Sequence, residues 1–360
     1  MTTAPRHFLS TLDWSRADLE ELLADAALLK ATRKTADDIG RGALAGKSVA
    51  LVFFNPSLRT RSSFEIGVFE MGGHAVVLEP GGAGAGKGAW PIEYRDGMVM
   101  DGEAEEHVEE VARVLSRYCD LIAVRAFPKF QRWEDDREDS VIKGFAKYAT
   151  VPVVNMETIT HPCQELALAL TLKERFGTRG LDGKKFLLTW TYHPKPLNTA
   201  VANSALIIAA KLGFEVTLLC PTPEYVLDAR YMDAARTFAA QTGRSVTVSH
   251  DLASAYAGAE IVYAKSWGAL PYFGRWEDEK PIREKNKHFI VDEHKMGLTA
   301  NQGKGFFSHC LPLRRNVKAT DAVVSSPASL VVDEAENRLH VQKALLRRLI
   351  GHPTISREGR

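Results

Sequence analysis

The chain has 360 residues, of which 45% are hydrophobic and 25% are charged. These fractions are average for globular proteins and exclude the collagen-like, coiled-coil and disordered classes. Lys and Arg total 46 against 45 for Asp and Glu, so the net charge of +1 excludes a general attraction to nucleic acids or anionic membranes.

The sequence contains neither a membrane segment nor a metal-binding motif. The longest apolar stretches, such as residues 49–54 and 205–210, are far shorter than the ~20 residues that a membrane-spanning helix needs. The first residues, MTTAPRHFLSTLDW, lack the apolar core of a signal peptide, which predicts a cytoplasmic protein. The four cysteines are scattered without CxxC or zinc spacing, which predicts reduced thiols.

Short β-rich segments alternate with segments of helical periodicity along most of the chain. The first half predicts strands at 48–55, 74–80, 121–127 and 151–157 and helices at 57–71, 104–118 and 161–176. The pattern then restarts, with strands predicted at 184–192, 215–221, 245–250, 260–266 and 288–293 and helices at 198–212 and 333–350.

This alternation predicts an α/β fold with parallel sheets that helices cover on both faces. The nearly continuous Val, Ile, Leu and Phe of the strands favours buried parallel sheets over an antiparallel sandwich. At about 150 residues per domain, the length and the mid-chain restart predict two doubly wound domains, with a boundary near 160–180. Ligands of such sheets bind beyond the carboxyl ends of the strands, so functional residues are expected there.

Residues 81–88, GGAGAGKG, partly match a nucleotide-binding loop, G-x-x-x-x-G-K. Gly88 stands where a Ser or Thr would bind magnesium, and the following Ala-Trp-Pro does not open a helix that could hold phosphates. No GxGxxG follows the first strand of the second half. A surface loop is therefore favoured over a nucleotide site.

Polar clusters follow several predicted strands. The first, N-P-S-L-R-T-R at 55–61, opens a helix, and Ser57 is a good N-cap residue. The free N–H groups of the first helical turn, together with Arg59 and Thr60, favour a small phosphate site over a simple capped helix.

Three further clusters give weaker evidence for a functional site when each is taken alone. Arg125 closes an apolar strand and is either a surface residue or an active-site cation. His161-Pro162-Cys163-Gln164 opens a helix near Glu157, which favours a polar site over packing alone. Residues 308–315, SHCLPLRR, follow an apolar run, but Cys310 has no neighbouring base in the sequence that would make it a nucleophile.

The motifs S-x-R-T-R, H-P-x-Q and H-C-L-P, in this order and spacing, resemble the aspartate/ornithine carbamoyltransferase family over essentially the whole chain. The resemblance implies two doubly wound domains joined by interdomain helices, with the last helix packing back on the first domain. Residues 1–160 and the helix 333–351 would bind carbamoyl phosphate, and 161–332 would bind the acceptor. A homotrimer with shared active sites is implied, with no cofactor and no metal.

The resemblance also implies the residues of the carbamoyl phosphate site. The S-x-R-T-R residues would bind the phosphate, the arginine of the third strand and the H-P-x-Q turn the carbamoyl end, and carbonyls of the H-C-L-P turn the carbamoyl nitrogen. The implied set is Ser57, Leu58 (through its backbone), Arg59, Thr60, Arg125, His161, Pro162, Cys163, Gln164, Cys310, Leu311, Arg338 and Trp90 from a neighbouring subunit.

In the implied reaction, a neutral primary amine attacks the carbamoyl carbon and phosphate leaves. Thr60, Arg125 and His161 are the expected catalytic residues, because they would stabilise the negative charge that gathers on the carbonyl oxygen. The leaving phosphate can accept the amine proton, so no dedicated general base is required.

The acceptor site departs from that of the ornithine enzymes. They carry an S-M-G loop preceded by an Asp that grips the free α-amino group, whereas this chain reads VYAKSWG with Lys265. A cation there fits a substrate whose α-amine is blocked, and the segments METITHPCQ and AWPIE also resemble the acylornithine branch of the family, which serves arginine biosynthesis. Glu157, Lys265 and Leu311 would then contact the acylornithine. Asn198 would touch its carboxylate, although helix capping explains Asn198 equally well.

Two more residues take their expected roles from this branch. Glu105 matches the position that separates acetyl from succinyl substrates, and a carboxylate there would repel a succinyl group, so N-acetyl-L-ornithine is the expected acceptor. From composition alone, Glu105 is simply an acid in the first turn of a helix. Lys318 matches a lysine that carbon dioxide can carboxylate.

Other functions stay open at this point. N-succinylornithine or ornithine is the alternative acceptor, and a binding paralogue without turnover is the alternative class of protein. A nicotinamide-dependent oxidoreductase rests only on the α/β pattern and the loop 81–88.

Overall fold

The computed structural model describes residues 6–80, 90–177, 180–352 and 354–355, so the loop 81–88 lies outside the described residues. The chain divides into two compact units. Unit 1 comprises Met1–Pro128, Asp136–Cys163 and Arg338–Arg360, and unit 2 comprises Lys129–Asp135 and Gln164–Asn337. Each unit is built on a parallel sheet with helices, which confirms the predicted α/β fold.

The strands are β1 (Ser48–Phe53), β2 (His74–Leu78), β3 (Ile92–Glu93), β4 (Glu106–His107), β5 (Leu121–Arg125), β6 (Val153–Glu157), β7 (Lys185–Trp190), β8 (Glu215–Leu219), β9 (Val246–Ser249), β10 (Ile261–Lys265) and β11 (Phe306–Ser308). The main sheet of unit 1 has the order β2-β1-β5-β6, and β3 pairs separately with β4. The sheet of unit 2 has the order β11-β10-β7-β8-β9. All of these pairings are parallel.

The helices are α1 (Arg16–Thr32), α2 (Leu58–Glu70), α3 (Val108–Tyr118), α4 (Trp133–Asp136), α5 (Ser140–Tyr148), α6 (Pro162–Phe176), α7 (Ala200–Lys211), α8 (Ala229–Gln241), α9 (Leu252–Tyr256), α10 (Trp276–Lys285), α11 (Glu293–Gly297), α12 (Ala300–Gly303), α13 (Asp321–Val324) and α14 (Val331–Leu349). No helix in these described ranges is both long and apolar enough to cross a membrane.

The order of the strands places the ends of three of them together in each unit. In unit 1 the chain runs from β1 to β2 and then returns to β5 on the other side of β1. The direction in which strands are added to the sheet therefore reverses between β1 and β5. Phe53 pairs with Arg125, and Arg125 pairs with Glu157, at the carboxyl ends of β1, β5 and β6. Such a switch point is where open parallel sheets bind ligands.

Unit 2 repeats this arrangement with β7 and β10. The chain runs from β7 through β8 to β9 and then returns to β10 on the other side of β7. Lys265 pairs with Trp190, and Tyr263 pairs with Ser308. The segments after Trp190, Lys265 and Ser308 therefore leave the same edge of the sheet.

The carboxyl-terminal part of α14 packs within unit 1. Lys343 is fully buried, and its Nζ lies 3.1 Å from Glu70 Oε2 at the end of α2. Arg33 donates to both oxygens of the same carboxylate. A buried ammonium without its carboxylate would cost several kcal/mol, so this contact stabilises the packing of α14 against α2.

Two predicted elements are wrong. Residues 288–293 form no strand: Lys287–Phe289 is a 3-10 turn, Val291 makes a single bridge to Ala319, and Asp292 caps α11. The helix predicted from residue 104 begins at Val108, because Glu106 and His107 pair with β3 before the His107 side chain caps α3. The sequence patterns also gave no prediction of α1, α5, α8 or α10.

We predict that Glu70→Gln destabilises the protein by about 3 kcal/mol at neutral pH, because it leaves the buried Lys343 without its carboxylate. Urea unfolding measures the loss, and Glu65→Gln on the exposed face of α2 should cost about 0.5 kcal/mol or less. Burial raises the pKa of Glu70, but hydrogen bonds from Arg33 and Lys343 outweigh it and lower the pKa below 4.5. The advantage of the wild type is therefore complete above pH 4.5 and is lost as the pH falls through the lowered pKa. Equal losses in the two variants would contradict this prediction.

Candidate active site

The S-x-R-T-R turn of unit 1 forms a capped helix start at the carboxyl end of β1. Ser57 has an extended backbone, and its Oγ accepts a hydrogen bond from Thr60 N at 3.3 Å, which confirms the predicted N-cap. Leu58 is 76% exposed, so its side chain contributes little packing. Its backbone N–H is the only hydrogen-bond donor that Leu58 can offer to a ligand. Arg61, the last residue of the motif, pairs on the surface with Glu65 and Glu79.

Arg125 and Glu157 form a buried ion pair at the ends of β5 and β6. The Arg125 guanidinium also stacks over Phe127, 4.5 Å from the ring centre. His161 Nε2 lies 3.4 Å from the same Glu157 oxygen that Arg125 contacts. The structure thus brings together three of the residues that the sequence singled out, and the carboxylate orients both donors.

Arg338 adds a second arginine to this group within unit 1. It is buried, and its NH2 donates to Thr60 Oγ1 at 2.8 Å. Burial lowers the pKa of Arg338; Cys163 and Glu157 oppose this shift, whereas Arg125 and Arg59 add to it. Arg338 therefore shares its surroundings with Arg59, Arg125 and the Glu157 carboxylate, an excess of two positive charges that suits a dianion.

The other residues of the H-P-x-Q turn differ in their surroundings. Pro162 is the first residue of α6, and the Cys163 thiol contacts the backbone oxygen of Asn155. Gln164 begins the part of α6 that belongs to unit 2, and its Nε2 donates to Glu334 Oε1 at 2.5 Å. Its Oε1 is buried and has no partner within the described ranges.

The H-C-L-P turn follows β11 in unit 2. Leu311 has a left-handed backbone (φ 54°), which costs energy for a branched side chain and is a frequent feature of functional turns. Leu311 N donates to His309 Nδ1 at 2.8 Å, so this ring holds the turn. Cys310 is buried beside it.

Lys318 is buried next to this turn. Its Nζ lies 3.4 Å from His309 Nε2. Burial lowers the pKa of Lys318 to about 7, with Lys265 and Arg314 acting in the same direction and Cys310 against it. Because Nδ1 of His309 accepts from Leu311, Nε2 carries the proton and faces the lysine as a donor. A neutral amine, or an acceptor group attached to it, fits this donor better than an ammonium.

Lys265 ends β10, and its backbone oxygen accepts from Thr191 N at 2.9 Å. Arg314 and His193 also lie in this unit, and Arg314 Nε donates a hydrogen bond to His193 Nε2 at 3.1 Å. Burial lowers the pKa of His193 to about 4, so this imidazole stays neutral and accepts. Asn198 Oδ1 accepts from Ala200 N at 3.1 Å in a turn that precedes α7, whose N-cap residue is Thr199 rather than Asn198.

The structure places Trp90 and Glu105 outside these two groups. Trp90 packs against the apolar cluster of its own unit and lines a cavity with Leu78 and Leu115. Glu105 is exposed, and its backbone N donates to Pro91 O at 3.0 Å, before β4. The reading of Glu105 as an acid in the first turn of a helix is therefore wrong.

Sequence reasoning missed Glu334, His309, His193 and Arg314. Glu334 contacts Gln164, 170 positions away, and Arg314 contacts His193, 121 positions away, and no local spacing in the sequence indicates such contacts. His309 lies inside the H-C-L-P motif and Lys318 was singled out by the resemblance, but nothing in the sequence indicated that these two side chains meet. In the described part of the chain, no cluster of three His, Cys, Asp or Glu side chains could hold a metal ion.

Two family models match the chain. The aspartate/ornithine carbamoyltransferase carbamoyl-P binding domain matches residues 6–174, and the aspartate/ornithine carbamoyltransferase Asp/Orn binding domain matches residues 196–349.

Individual relatives agree with these models. The chain is 66% identical over 346 residues to an N-acetylornithine carbamoyltransferase of Xanthomonas campestris pv. campestris, covering 96% of this chain and 98% of the relative. It is 34% identical over 334 residues to an N-succinylornithine carbamoyltransferase of Bacteroides fragilis, covering 92% and 95%. A crystal structure of acetylornithine transcarbamylase complexed with acetylcitrulline superposes with a TM-score of 0.91 at 66% identity, covering 96% of this chain and all of the other.

We predict that Arg338→Met weakens the binding of inorganic phosphate about 10- to 100-fold, because it removes a buried cation that also orients Thr60. Isothermal titration calorimetry measures the affinity. Arg61→Met is the matched control, since Arg61 belongs to the same motif but pairs on the surface, and it should change the affinity less than about twofold. Equal weakening by both substitutions would refute a phosphate site at Arg338.

Proposed function

The chain belongs to the aspartate/ornithine carbamoyltransferase family, and we propose that it transfers the carbamoyl group of carbamoyl phosphate to the δ-amine of N-acetyl-L-ornithine. The products are N-acetyl-L-citrulline and phosphate, in arginine biosynthesis. The observation that carries the proposal is the excess of two positive charges around Glu157 and Thr60, next to the amino terminus of α2. Carbamoyl phosphate is a small dianion that matches this charge.

The phosphate end is assigned to the S-x-R-T-R turn. Ser57, Arg59, Thr60 and the backbone of Leu58 offer hydroxyl, guanidinium and N–H donors at the start of a helix, and Arg338 adds its charge. These are the donors that arginine-rich phosphate sites use.

The carbamoyl end is assigned to Arg125, His161 and Thr60. As the acceptor amine attacks the carbamoyl carbon, the electron pair of the C=O bond moves to the oxygen, and donors fixed beforehand stabilise that charge. The C–O bond to phosphate then breaks, and the phosphate accepts the proton of the new amide nitrogen. Removal of one such donor typically costs about 3 kcal/mol of transition-state stabilisation.

The acceptor is assigned from Lys265 and from the relatives. Lys265 supplies a cation at the end of β10 for the substrate carboxylate, with Asn198, Leu311 and Glu157 as further contacts. The identity of 66% to an acetylornithine enzyme, against 34% to a succinylornithine enzyme, supports the acetyl substrate.

Lys318 is proposed to carry a carboxyl group in the working enzyme. Carbon dioxide adds to a neutral amine, and burial gives Lys318 a pKa of about 7, so a large fraction is neutral near physiological pH. The new carboxylate would accept from His309 Nε2, which already faces Nζ, and it would offset Lys265 and Arg314.

The remaining parts of the proposal come from family resemblance. They are a homotrimer with shared active sites, the entry of Trp90 into a neighbouring site, selection against succinyl groups by Glu105, and a cytoplasmic location.

We predict turnover of N-acetylornithine, and not of ornithine or N-succinylornithine, in a citrulline assay with carbamoyl phosphate. Lys265→Met should lower kcat/KM for N-acetylornithine about 10- to 100-fold, because it removes a charge-assisted hydrogen bond to the carboxylate. The exposed Lys195→Met is the control and should leave the value within about twofold. Turnover of ornithine alone would refute the blocked-amine reading of Lys265, and no turnover at all would favour a binding paralogue.

We also predict a carbamate on Lys318. In 13C-labelled bicarbonate at pH 8, 13C NMR should show a carbamate resonance that Lys318→Gln lacks and that the exposed-lysine variant Lys304→Gln keeps. The resonance should weaken as the pH falls below about 7, since the amine then becomes protonated. A resonance that survives in Lys318→Gln, or its absence from the wild type, would contradict carboxylation.

A further inference from the structure

Glu334 is a fully buried carboxylate in the first turn of α14, in unit 2. It accepts hydrogen bonds from Gln164 Nε2 at 2.5 Å and from the Tyr263 hydroxyl at 2.9 Å, both on Oε1, and from the Ser308 hydroxyl on Oε2. Tyr263 and Ser308 face each other across β10 and β11. The start of α14 thus meets α6 and the two strands that lead to Lys265 and Cys310.

An ionised carboxylate is only an acceptor, so it fixes the orientation of the amide that it contacts. Gln164 must present Nε2 to Glu334, because a flipped amide would place two acceptor oxygens against each other. The Tyr263 and Ser308 hydroxyls also donate to this carboxylate, so it acts as an acceptor toward all three groups. Since the amide is planar, Oε1 of Gln164 then faces away from Glu334, buried and without a partner within the described ranges.

We propose that Glu334 is a positioning residue that holds Gln164 with its amide oxygen toward the substrate, and thereby selects an acyl phosphate that carries an N–H group. The inference rests on the proposed function and on the family resemblance, which assigns the H-P-x-Q turn, and with it Gln164, to the carbamoyl end. An oxygen in this place accepts from the NH2 of carbamoyl phosphate. The methyl group of acetyl phosphate, which has nearly the same shape, offers no such hydrogen and leaves the buried oxygen unpaired.

The test compares three constants: kcat/KM for carbamoyl phosphate and the inhibition constants of acetyl phosphate and inorganic phosphate. In Glu334→Gln the amide of Gln164 is free to turn, so kcat/KM should fall about 10- to 100-fold while both inhibition constants stay within about twofold. Glu336→Gln, exposed on the same helix, is the matched control and should change none of them. A loss of stability alone would not change one ligand and spare the other two.

A double-mutant cycle shows whether Glu334 acts through Gln164. Gln164→Ala should cause a similar loss, and Glu334→Gln should add less than about twofold in that background. If Glu334→Gln does not fold, Glu334→Asp keeps the buried charge but shortens its reach to Gln164, and it should lower the same selectivity.

The outcomes separate this inference from the proposed function. If the wild type turns over N-acetylornithine but the Glu334 variants keep the selectivity for carbamoyl phosphate, the inference is wrong and the function stands. Equal weakening of all three phosphates, or a full additional loss in the Gln164→Ala background, also overturns it. A wild type without turnover overturns both.

Discussion

The buried positive charge at one edge of the unit 1 sheet is the constraint on which the site depends. Arg125 and Arg338 are almost fully removed from water, and Arg59 and Arg125 both act on Arg338. Burying unpaired charges costs several kcal/mol each. Glu157 offsets part of this cost, and an anion bound beside the arginines would offset the rest.

The same sheet geometry makes this possible. β1, β5 and β6 are parallel neighbours, so their carboxyl ends deliver the capped start of α2, Arg125 and Glu157 to one edge. Arg125 and the first turn of α2, which carries Arg59, are therefore placed by regular secondary structure and not by flexible loops. α14 then adds Arg338, and the buried contact between Lys343 and Glu70 fixes that helix within unit 1.

Unit 2 treats its buried charges in two different ways. Lys318 has the cations Lys265 and Arg314 for neighbours, so burial moves its pKa down and favours the neutral amine. Glu334 instead collects donors from Gln164, Tyr263 and Ser308. The neutral amine of Lys318 is available to react, whereas the Glu334 carboxylate, held by these three donors, fixes the orientation of its partners.

The sequence by itself determined the class of fold and the strand-end clusters, because both are local. Apolar periodicity gives the strands, and residues such as Ser57, Arg125 and His161 follow them directly. The same local reasoning failed at 288–293, where an apolar run is a turn, and at Glu105, where a short strand pair delays the helix. Only the tertiary structure decided that Arg338 meets Thr60, that His309 faces Lys318 and that Gln164 meets Glu334. These contacts join residues that are 9 to 278 positions apart, and they follow from how helices pack on a sheet, which no spacing in the sequence encodes.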